Sequence, residues 1–179
     1  VMLGYYKEEE LTNKTIVNDF LHTGDIGELD TEGFLKITDR KKEIFKTSGG
    51  KYIAPAVLEG KLKESRFIEQ VMVIGESQKM PAAIIQPHFE FLIEWIKRKK
   101  LNIELTNESI IKNKKVLKRI QKEIEKSNDS FGNWEKIKVF ELTPEVWSTE
   151  NGLLTPTMKM KRAVIKHKYK HLYSKIYQK

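Results

Sequence analysis

Two short apolar runs rich in β-branched residues, at positions 69–75 and 81–86, constrain this chain more than any other feature. Each has the length of a buried strand, and a turn from Gly75 to Lys79 separates the two. Both are far shorter than the roughly 20 apolar residues that a membrane-spanning helix requires. We therefore expect a pair of buried strands in a protein that is soluble or peripheral to a membrane.

Segments with helical periodicity lie before and after these strands, and Ile137–Leu142 has the composition of a third strand. Helices are predicted at 55–67 (with Val57, Leu58, Leu62 and Phe67 on the buried face), at 89–99, at 107–127 and from Lys161 onward. Helices intermixed with a few strands indicate an α+β fold. We expect a central mixed sheet of about three strands flanked by helices.

The chain before these elements contains a polar segment and a predicted hairpin. One short amphipathic helix is predicted in the polar segment, with apolar positions at Ile16, Val17, Phe20 and Leu21. Asp30–Gly33 lies between two alternating runs, which predicts a β-hairpin. The charged junction Asp39–Glu43 follows, so we predict one domain at 1–39 and another at 40–179.

Positive charge is concentrated at the end of the sequence. The net charge is +8, and Lys159–Lys179 contains eight Lys or Arg residues and no acid. This excess indicates an anionic neighbour, for which a phosphorylated ligand, an acidic membrane surface and nucleic acid are all candidates. A basic helix that is merely solvated explains the same run equally well.

Cysteine and histidine limit the metal chemistry open to the chain. There is no cysteine, which excludes disulfides and thiolate-bound zinc and suits a reducing compartment such as the cytoplasm. His167 and His171 have a helical spacing that can bind a metal, but no acidic residue lies near them in the sequence. We interpret both as ordinary surface histidines and predict no metal site.

Three separate segments carry the most specific functional signal. They are Leu21-His-Thr-Gly-Asp25, Thr38-Asp-Arg-Lys-Lys42 and Leu154-Thr-Pro-Thr-Met-Lys-Met-Lys-Arg162. Their order and spacing resemble those of the adenylate-forming enzymes, which include acyl-CoA synthetases, luciferases and peptide-synthetase adenylation domains. The resemblance covers essentially the whole chain, and Glu150–Thr157 looks like the long-chain fatty acyl-CoA synthetase branch.

The first two segments imply nucleotide contacts and a hinge. The resemblance assigns Asp25 to the ribose hydroxyls of ATP, and an ionised carboxylate suits a vicinal diol because it only accepts hydrogen bonds. Arg40 matches the family arginine that also reaches the nucleotide. Lys42 falls at the position about which the C-terminal domain of such enzymes rotates between half-reactions.

The remaining implied residues lie in a glycine-rich loop and in the third segment. Ser48, Gly49 and Gly50 resemble the loop that lines the pantetheine tunnel during thioester formation, where glycine permits close backbone approach. Lys159 matches the adenylation lysine, which usually follows a glycine and here follows Met158. Lys161 is the competing assignment for this role.

The resemblance implies a two-step ligase with ATP, Mg²⁺ and CoA as cofactors or substrates. A fatty acid and MgATP give an acyl-adenylate, and CoA then displaces AMP. In the family the phosphate loop, the magnesium-binding acid and the acyl pocket lie upstream. We therefore expect a C-terminal fragment, inactive alone, that works with its own N-terminal domain.

Other functions are compatible with parts of the sequence. A medium-chain ligase or a peptide-synthetase module would share the same three segments. A basic nucleic-acid-binding module is a hypothesis from another class, but no nucleic-acid motif is visible, and we expect no nucleic-acid partner. Peripheral contact with a membrane and a stand-alone interaction fragment stay open.

Overall fold

The computed structural model describes residues 2–41 and 43–178, and of Thr38–Arg40 it describes the backbone alone. The chain forms two compact units, Val1–Ile44 and Phe45–Lys179. The first unit contains helix α1 (Glu9–Thr15) and two hairpins. The strands of these hairpins are β1 (Ile16–Val17), β2 (Phe20–Leu21), β3 (Asp25–Leu29) and β4 (Leu35–Arg40).

The predicted amphipathic helix over Ile16–Leu21 is wrong, because this segment is the β1–β2 hairpin. Asn18 and Asp19 form its two-residue turn, with φ of 50° and 63°. Short polar side chains tolerate this left-handed conformation better than others do. Apolar residues on the two sides of such a turn are three to five positions apart, so they imitate the period of a helix.

The predicted hairpin around Asp30 is confirmed as the antiparallel pair β3–β4. One carboxylate oxygen of Asp30 accepts hydrogen bonds from the backbone N–H groups of Glu32 and Phe34, each at 2.9 Å. These bonds close the turn locally, so a short sequence signal is sufficient to predict it.

The second unit is built on the expected mixed sheet of three strands. It begins with the strand pair β5 (Phe45–Lys46) and β6 (Tyr52–Ile53) and helix α2 (Pro55–Leu62). The sheet itself consists of β7 (Ile68–Ile74), β8 (Ala82–Pro87) and β9 (Phe140–Leu142). Strand β8 is central, antiparallel to β7 and parallel to β9. The predicted α+β fold is therefore confirmed.

The third strand is shorter than the predicted Ile137–Leu142. The backbone N–H of Ile137 donates to the side-chain oxygen of Asn128 at 2.9 Å, and its carbonyl accepts from the same amide at 2.8 Å. Both backbone groups of Ile137 are thus used outside the sheet, so pairing begins only at Phe140.

Both faces of the sheet are covered, which explains why residues 71–74 of β7 and 82–85 of β8 are continuously apolar. One face, which includes Val71, Val73 and Ile85, packs against α2, α3 (Phe89–Arg98), α4 (Asn107–Lys112) and α5 (Lys114–Asn128). The opposite face, which includes Met72, Ile74 and Ile84, packs against α6 (Arg162–Lys168) and α7 (Lys170–Tyr177).

Two helices predicted as continuous are each divided. The helix predicted at 107–127 stops at Asn113, whose ψ of 124° is extended and whose side chain accepts from the Lys115 N–H to cap α5. The basic helix predicted from Lys161 is interrupted at Tyr169, which is buried between α6 and α7. Val57, predicted on the buried face of α2, is instead 42% exposed.

Tyr169 belongs to a polar cluster with Glu145 and Trp147. Its hydroxyl donates to the Glu145 carboxylate at 2.9 Å and accepts from the indole N–H of Trp147 at 3.1 Å. Burial disfavours the ionised Glu145 carboxylate, but hydrogen bonds from Lys168, Tyr169 and Asn151 and the charge of Lys168 outweigh it. The pKa of Glu145 is consequently held below its usual range.

This lowered pKa predicts the pH dependence of stability. The ionised Glu145 should stabilise the fold above the carboxyl pKa of the unfolded chain, roughly pH 4, and lose this effect as the pH falls through the lower folded value. Glu145→Gln should therefore reduce the free energy of unfolding at neutral pH and approach the parent near the acid limit. Urea unfolding of both chains at several pH values tests this, and a difference independent of pH would contradict it.

Candidate functional site

Asp25 and Arg40, both predicted to contact a nucleotide, lie at the same end of the β3–β4 hairpin. They are direct partners in the antiparallel register, so their Cα atoms face each other across the ladder. The Asp25 side chain is exposed and its backbone N–H donates to the Thr23 hydroxyl at 3.2 Å. The side chain of Arg40, and Lys42 as a whole, lie outside the described residues.

The hairpin holds this end of the first unit in a defined position. The carbonyl of Gly24 accepts a hydrogen bond from the Lys41 N–H at 2.8 Å, which extends the pairing past Asp25. An exposed carboxylate on a paired strand presents two acceptor oxygens in a direction that the ladder determines. The arrangement can therefore receive a pair of hydroxyl donors from a small molecule.

In the second unit the predicted glycine-rich loop is a closed turn. Thr47 is buried, and its backbone closes the turn through two hydrogen bonds. Its N–H donates to the Lys51 carbonyl at 2.9 Å, and its carbonyl accepts from the Gly50 N–H at 2.9 Å. The loop is tied to the β7–β8 turn by the Ser48 N–H, which donates to the Gln78 carbonyl at 2.9 Å. The loop position thus depends on the central sheet.

The backbone conformation of this loop requires glycine at position 50 but not at position 49. Gly50 has a φ of 79°, which side-chain-bearing residues rarely adopt. Gly49 has no such φ, and a Cβ added there would meet no atom within 4 Å among the described residues. The fold of this unit therefore does not explain Gly49, whereas close approach of another molecule to the backbone would.

Lys159 lies on a tight β-turn loop between Leu154 and Met160, which form an antiparallel bridge. The Thr155 N–H donates to the Lys159 carbonyl at 2.8 Å, and the Lys159 N–H donates to the Thr155 hydroxyl at 3.1 Å. Leu154 and Met160 pack into the core on the α6–α7 face of the sheet. The loop is therefore attached to the core at both ends while Lys159 itself is exposed.

The structure gives a physical reason for the departure at Met158. Met158 has a φ of 59°, the left-handed conformation that costs a side-chain-bearing residue about 1–2 kcal/mol. The residue before the lysine is usually glycine in the family that this segment resembles, and glycine adopts this conformation freely. The same backbone path is thus kept here with a less favourable residue.

Lys159 and Lys161, the two candidates for the catalytic lysine, flank Met160 on the same exposed edge. Among residues 2–41 and 43–178, neither ammonium has a hydrogen bond, an ion pair or a ring contact. The Lys161 N–H donates to the Leu153 carbonyl at 2.9 Å, and Lys161 is the residue before α6. Both side chains are available to a ligand, and their roles remain predictions.

A buried ion pair that sequence reasoning missed anchors the segment after the loop. The guanidinium of Arg162 donates to the two carboxylate oxygens of Glu59, at 2.8 and 2.5 Å. Glu59 is only 5% exposed and also accepts from the Val73 N–H at 2.7 Å. The two residues are 103 positions apart, so no local pattern could have indicated the pairing.

The described residues contain neither a cluster of metal-ligating side chains nor a membrane-spanning helix. Within the described part of the chain, no group of three or more potential metal-ligating side chains occurs, and His167 and His171 belong to separate helices. No helix in that part is both long and apolar enough to span a bilayer.

The chain is similar to known proteins over almost its whole length. Residues 42–179 match the family described as AMP-binding enzyme C-terminal domain. Fatty acyl-CoA synthetase B of Dictyostelium discoideum is 41% identical and matches 98% of this chain, and human long-chain-fatty-acid–CoA ligase 1 is 39% identical and matches 99%. The chain spans 26% of the length of each relative.

A solved structure shows the same fold. The adenylation domain of a carboxylate reductase from Mycobacterium chelonae superimposes with a TM-score of 0.75 at 25% identity. The superposition covers 94% of this chain and 25% of that one.

Proposed function

This chain belongs to the AMP-binding enzyme C-terminal domain family, and we propose that it forms the C-terminal portion of an AMP-forming long-chain fatty acid–CoA ligase. The observation that carries the proposal is the Lys159 loop. The ammonium of this lysine has no partner among the described residues, and it lies on a turn that the core and the Arg162–Glu59 pair hold in place. A surface lysine in a solvated tail would need no such anchoring.

The proposed reaction has two steps. A carboxylate oxygen of the fatty acid attacks the α-phosphorus of ATP, the bond from that phosphorus to the bridging oxygen breaks, and pyrophosphate leaves. The CoA thiolate then attacks the acyl carbon, and the bond from this carbon to AMP breaks. ATP enters with its Mg²⁺, and we assign no ligand of that ion to this chain.

Lys159 would act in the first step. Negative charge accumulates as a carboxylate approaches the α-phosphate, and a fixed cation at that point stabilises the transition state. An ammonium is suited to this role because it is a compact point charge on a flexible stem. The Leu154–Met160 bridge and the Thr155 hydroxyl fix the backbone of this residue within its loop.

The other predicted residues would serve binding and domain movement. Asp25 would accept the ribose hydroxyls and Arg40, opposite it in register, would contact the same nucleotide. Lys42 would be the hinge, and Ser48–Gly50 would line the pantetheine path in the second step. The space beside Gly49, which the fold itself does not use, supports this assignment of the loop.

The test measures how the rate of acyl-CoA formation by the full-length protein depends on ATP concentration, with palmitate and CoA as the other substrates. Asp25→Ala should raise KM for ATP about tenfold to a hundredfold, because a hydrogen bond to a charged acceptor contributes roughly 1.5 to 3 kcal/mol. The 179-residue chain alone should release no pyrophosphate.

Glu28→Ala is the matched control, since Glu28 is an exposed carboxylate on the same strand and pairs with Lys36. It should leave KM for ATP unchanged. An Asp25 variant with parental ATP dependence would refute the ribose role, and pyrophosphate release by the chain alone would refute the fragment assignment. A rate profile over acyl chain length distinguishes a long-chain ligase from a medium-chain ligase or a peptide-synthetase module.

A further inference from the structure

A basic groove lies between helices α3 and α5, on the part of the second unit that the proposed function does not use. Its volume is about 340 Å³. One wall is apolar, formed by Trp95 and Leu101, and the cations that line the rest are Lys99, Lys115, Lys118, Arg119 and Lys122.

Four of these cations form one stripe along α5. Lys115, Lys118, Arg119 and Lys122 follow the spacing i, i+3, i+4, i+7, which places them on the same face of the helix. The opposite face, with Val116, Ile120 and Ile124, is buried in the core. The core packing therefore determines which way the basic stripe faces, and the helix cannot turn to disperse the charge.

The lysines of the groove are not neutralised within the described part of the chain. The side-chain ammonium groups of Lys99, Lys115, Lys118 and Lys122 have no hydrogen bond, ion pair or ring contact there. Arg119 is different, since it pairs with Glu123 and its guanidinium lies 4.4 Å from the centre of the Phe67 ring. Even so, its Nε–H is buried without a hydrogen-bond partner among the described residues.

The C-terminal basic run behaves differently from this groove. Lys166, Lys168 and Lys175 form ion pairs with Glu76, Glu145 and Glu141. Acids distant in the sequence thus neutralise part of the positive charge of residues 159–179. The α3–α5 groove, which the sequence did not single out, keeps the larger group of unpaired lysines.

We propose that this groove docks the protein onto a membrane surface that carries anionic phospholipids. Like charges held on one face repel, and negative headgroups would relieve that repulsion. The lysines are exposed and long, so they suit many headgroups at a surface better than one small anion in a fixed socket. Trp95 and Leu101 beside them provide the apolar and aromatic contact typical of an interface.

This inference does not depend on the proposed enzymatic function, and vesicle flotation of the 179-residue chain tests it directly. The probes are vesicles of phosphatidylcholine alone and of phosphatidylcholine with phosphatidylserine. The chain should float with the anionic vesicles, and high salt should release it because salt screens exposed charges. Replacing Lys99, Lys115, Lys118 and Lys122 by glutamine should lower the partition coefficient by about a hundredfold to a thousandfold, since each cation contributes on the order of 1 kcal/mol.

A second set of four lysines gives a control with the same change in net charge. Lys14, Lys79, Lys138 and Lys170 are exposed and lie away from the groove lining. Replacing them by glutamine should leave binding nearly unchanged. An equal loss in both sets would show that net charge alone drives binding, and the proposal would fail.

Tryptophan fluorescence supplies an independent readout of the docking face. Anionic vesicles should shift the emission to shorter wavelength, and this shift should be lost in Trp95→Phe and kept in Trp134→Phe, since Trp134 is exposed outside the groove. No preference for anionic vesicles, or a shift that persists without Trp95, would overturn the proposal. So would binding of inorganic triphosphate or duplex DNA that outcompetes vesicles at the groove.

Discussion

Replacing Lys159 by alanine in the full-length protein should slow acyl-adenylate formation by about a hundredfold to a thousandfold, the usual cost of one lost transition-state donor. The second step should be nearly unaffected, so acyl-adenylate supplied from outside should still be converted to acyl-CoA. The reason is the proposed domain rotation, which would bring the lysine to the α-phosphate for the first step only. Pyrophosphate release and thioester formation, measured separately, test both parts.

Lys161→Ala is the matched control, because Lys161 is an exposed lysine on the same edge and also lacks a partner among the described residues. It should change neither step. If Lys161→Ala alone blocks adenylation, the assignment is wrong by two residues. Equal damage to both steps by Lys159→Ala would instead indicate a structural role, which the exposed ammonium makes difficult to explain.

Replacing Arg162 by alanine should reduce the free energy of unfolding by about 3–5 kcal/mol, the largest stability effect that we expect in this chain. The substitution removes a guanidinium that makes two hydrogen bonds to Glu59, whose carboxylate is 5% exposed. A buried carboxylate deprived of its opposite charge is strongly unfavourable, whereas removal of both charges costs much less. Urea unfolding of the 179-residue chain measures the difference.

Two further variants identify the cause. The double variant Glu59→Gln, Arg162→Met should recover much of the loss, because glutamine keeps an acceptor for the Val73 N–H and carries no charge. Lys61→Ala removes an exposed pair with Glu64 and should cost less than about 1 kcal/mol. If Arg162→Ala costs no more than Lys61→Ala, the ion pair does not hold the Lys159 segment in place.

The candidate site was predictable from the sequence to the extent that each part is local. Thr23–Asp25, Ser48–Gly50 and Thr155–Lys159 are each closed by hydrogen bonds within a few residues, so short motifs suffice to locate them. Their assigned roles came from the resemblance to adenylate-forming enzymes. Neither the motifs nor the resemblance indicated the contacts that position these segments. The Ser48 N–H donates to a carbonyl of the β7–β8 turn, and Arg162 pairs with Glu59.

The errors in the predicted elements have a common cause. Apolar residues that recur every three or four positions indicate which side chains are buried. A continuous helix, a divided helix and a tight hairpin can all bury the same side chains. At Ile16–Leu21 the Asn18-Asp19 turn produced the apparent helical period. At Asn113 a side chain caps the start of a new helix, and at Tyr169 the backbone ψ of 27° departs from helical geometry, although the periodicity continues through both positions.

By itself the sequence determined the α+β class and the approximate positions of the three sheet strands along the chain, because burial patterns and turns are written into neighbouring residues. Only the tertiary structure decided which charges meet. Glu59 and Arg162 pair across 103 positions, and three lysines of the C-terminal run pair with distant acids. The lysines of the α3–α5 groove find no acid among the described residues. Charge interactions depend on distance in space, and folding alone brings residues so far apart in sequence within a few ångströms of each other.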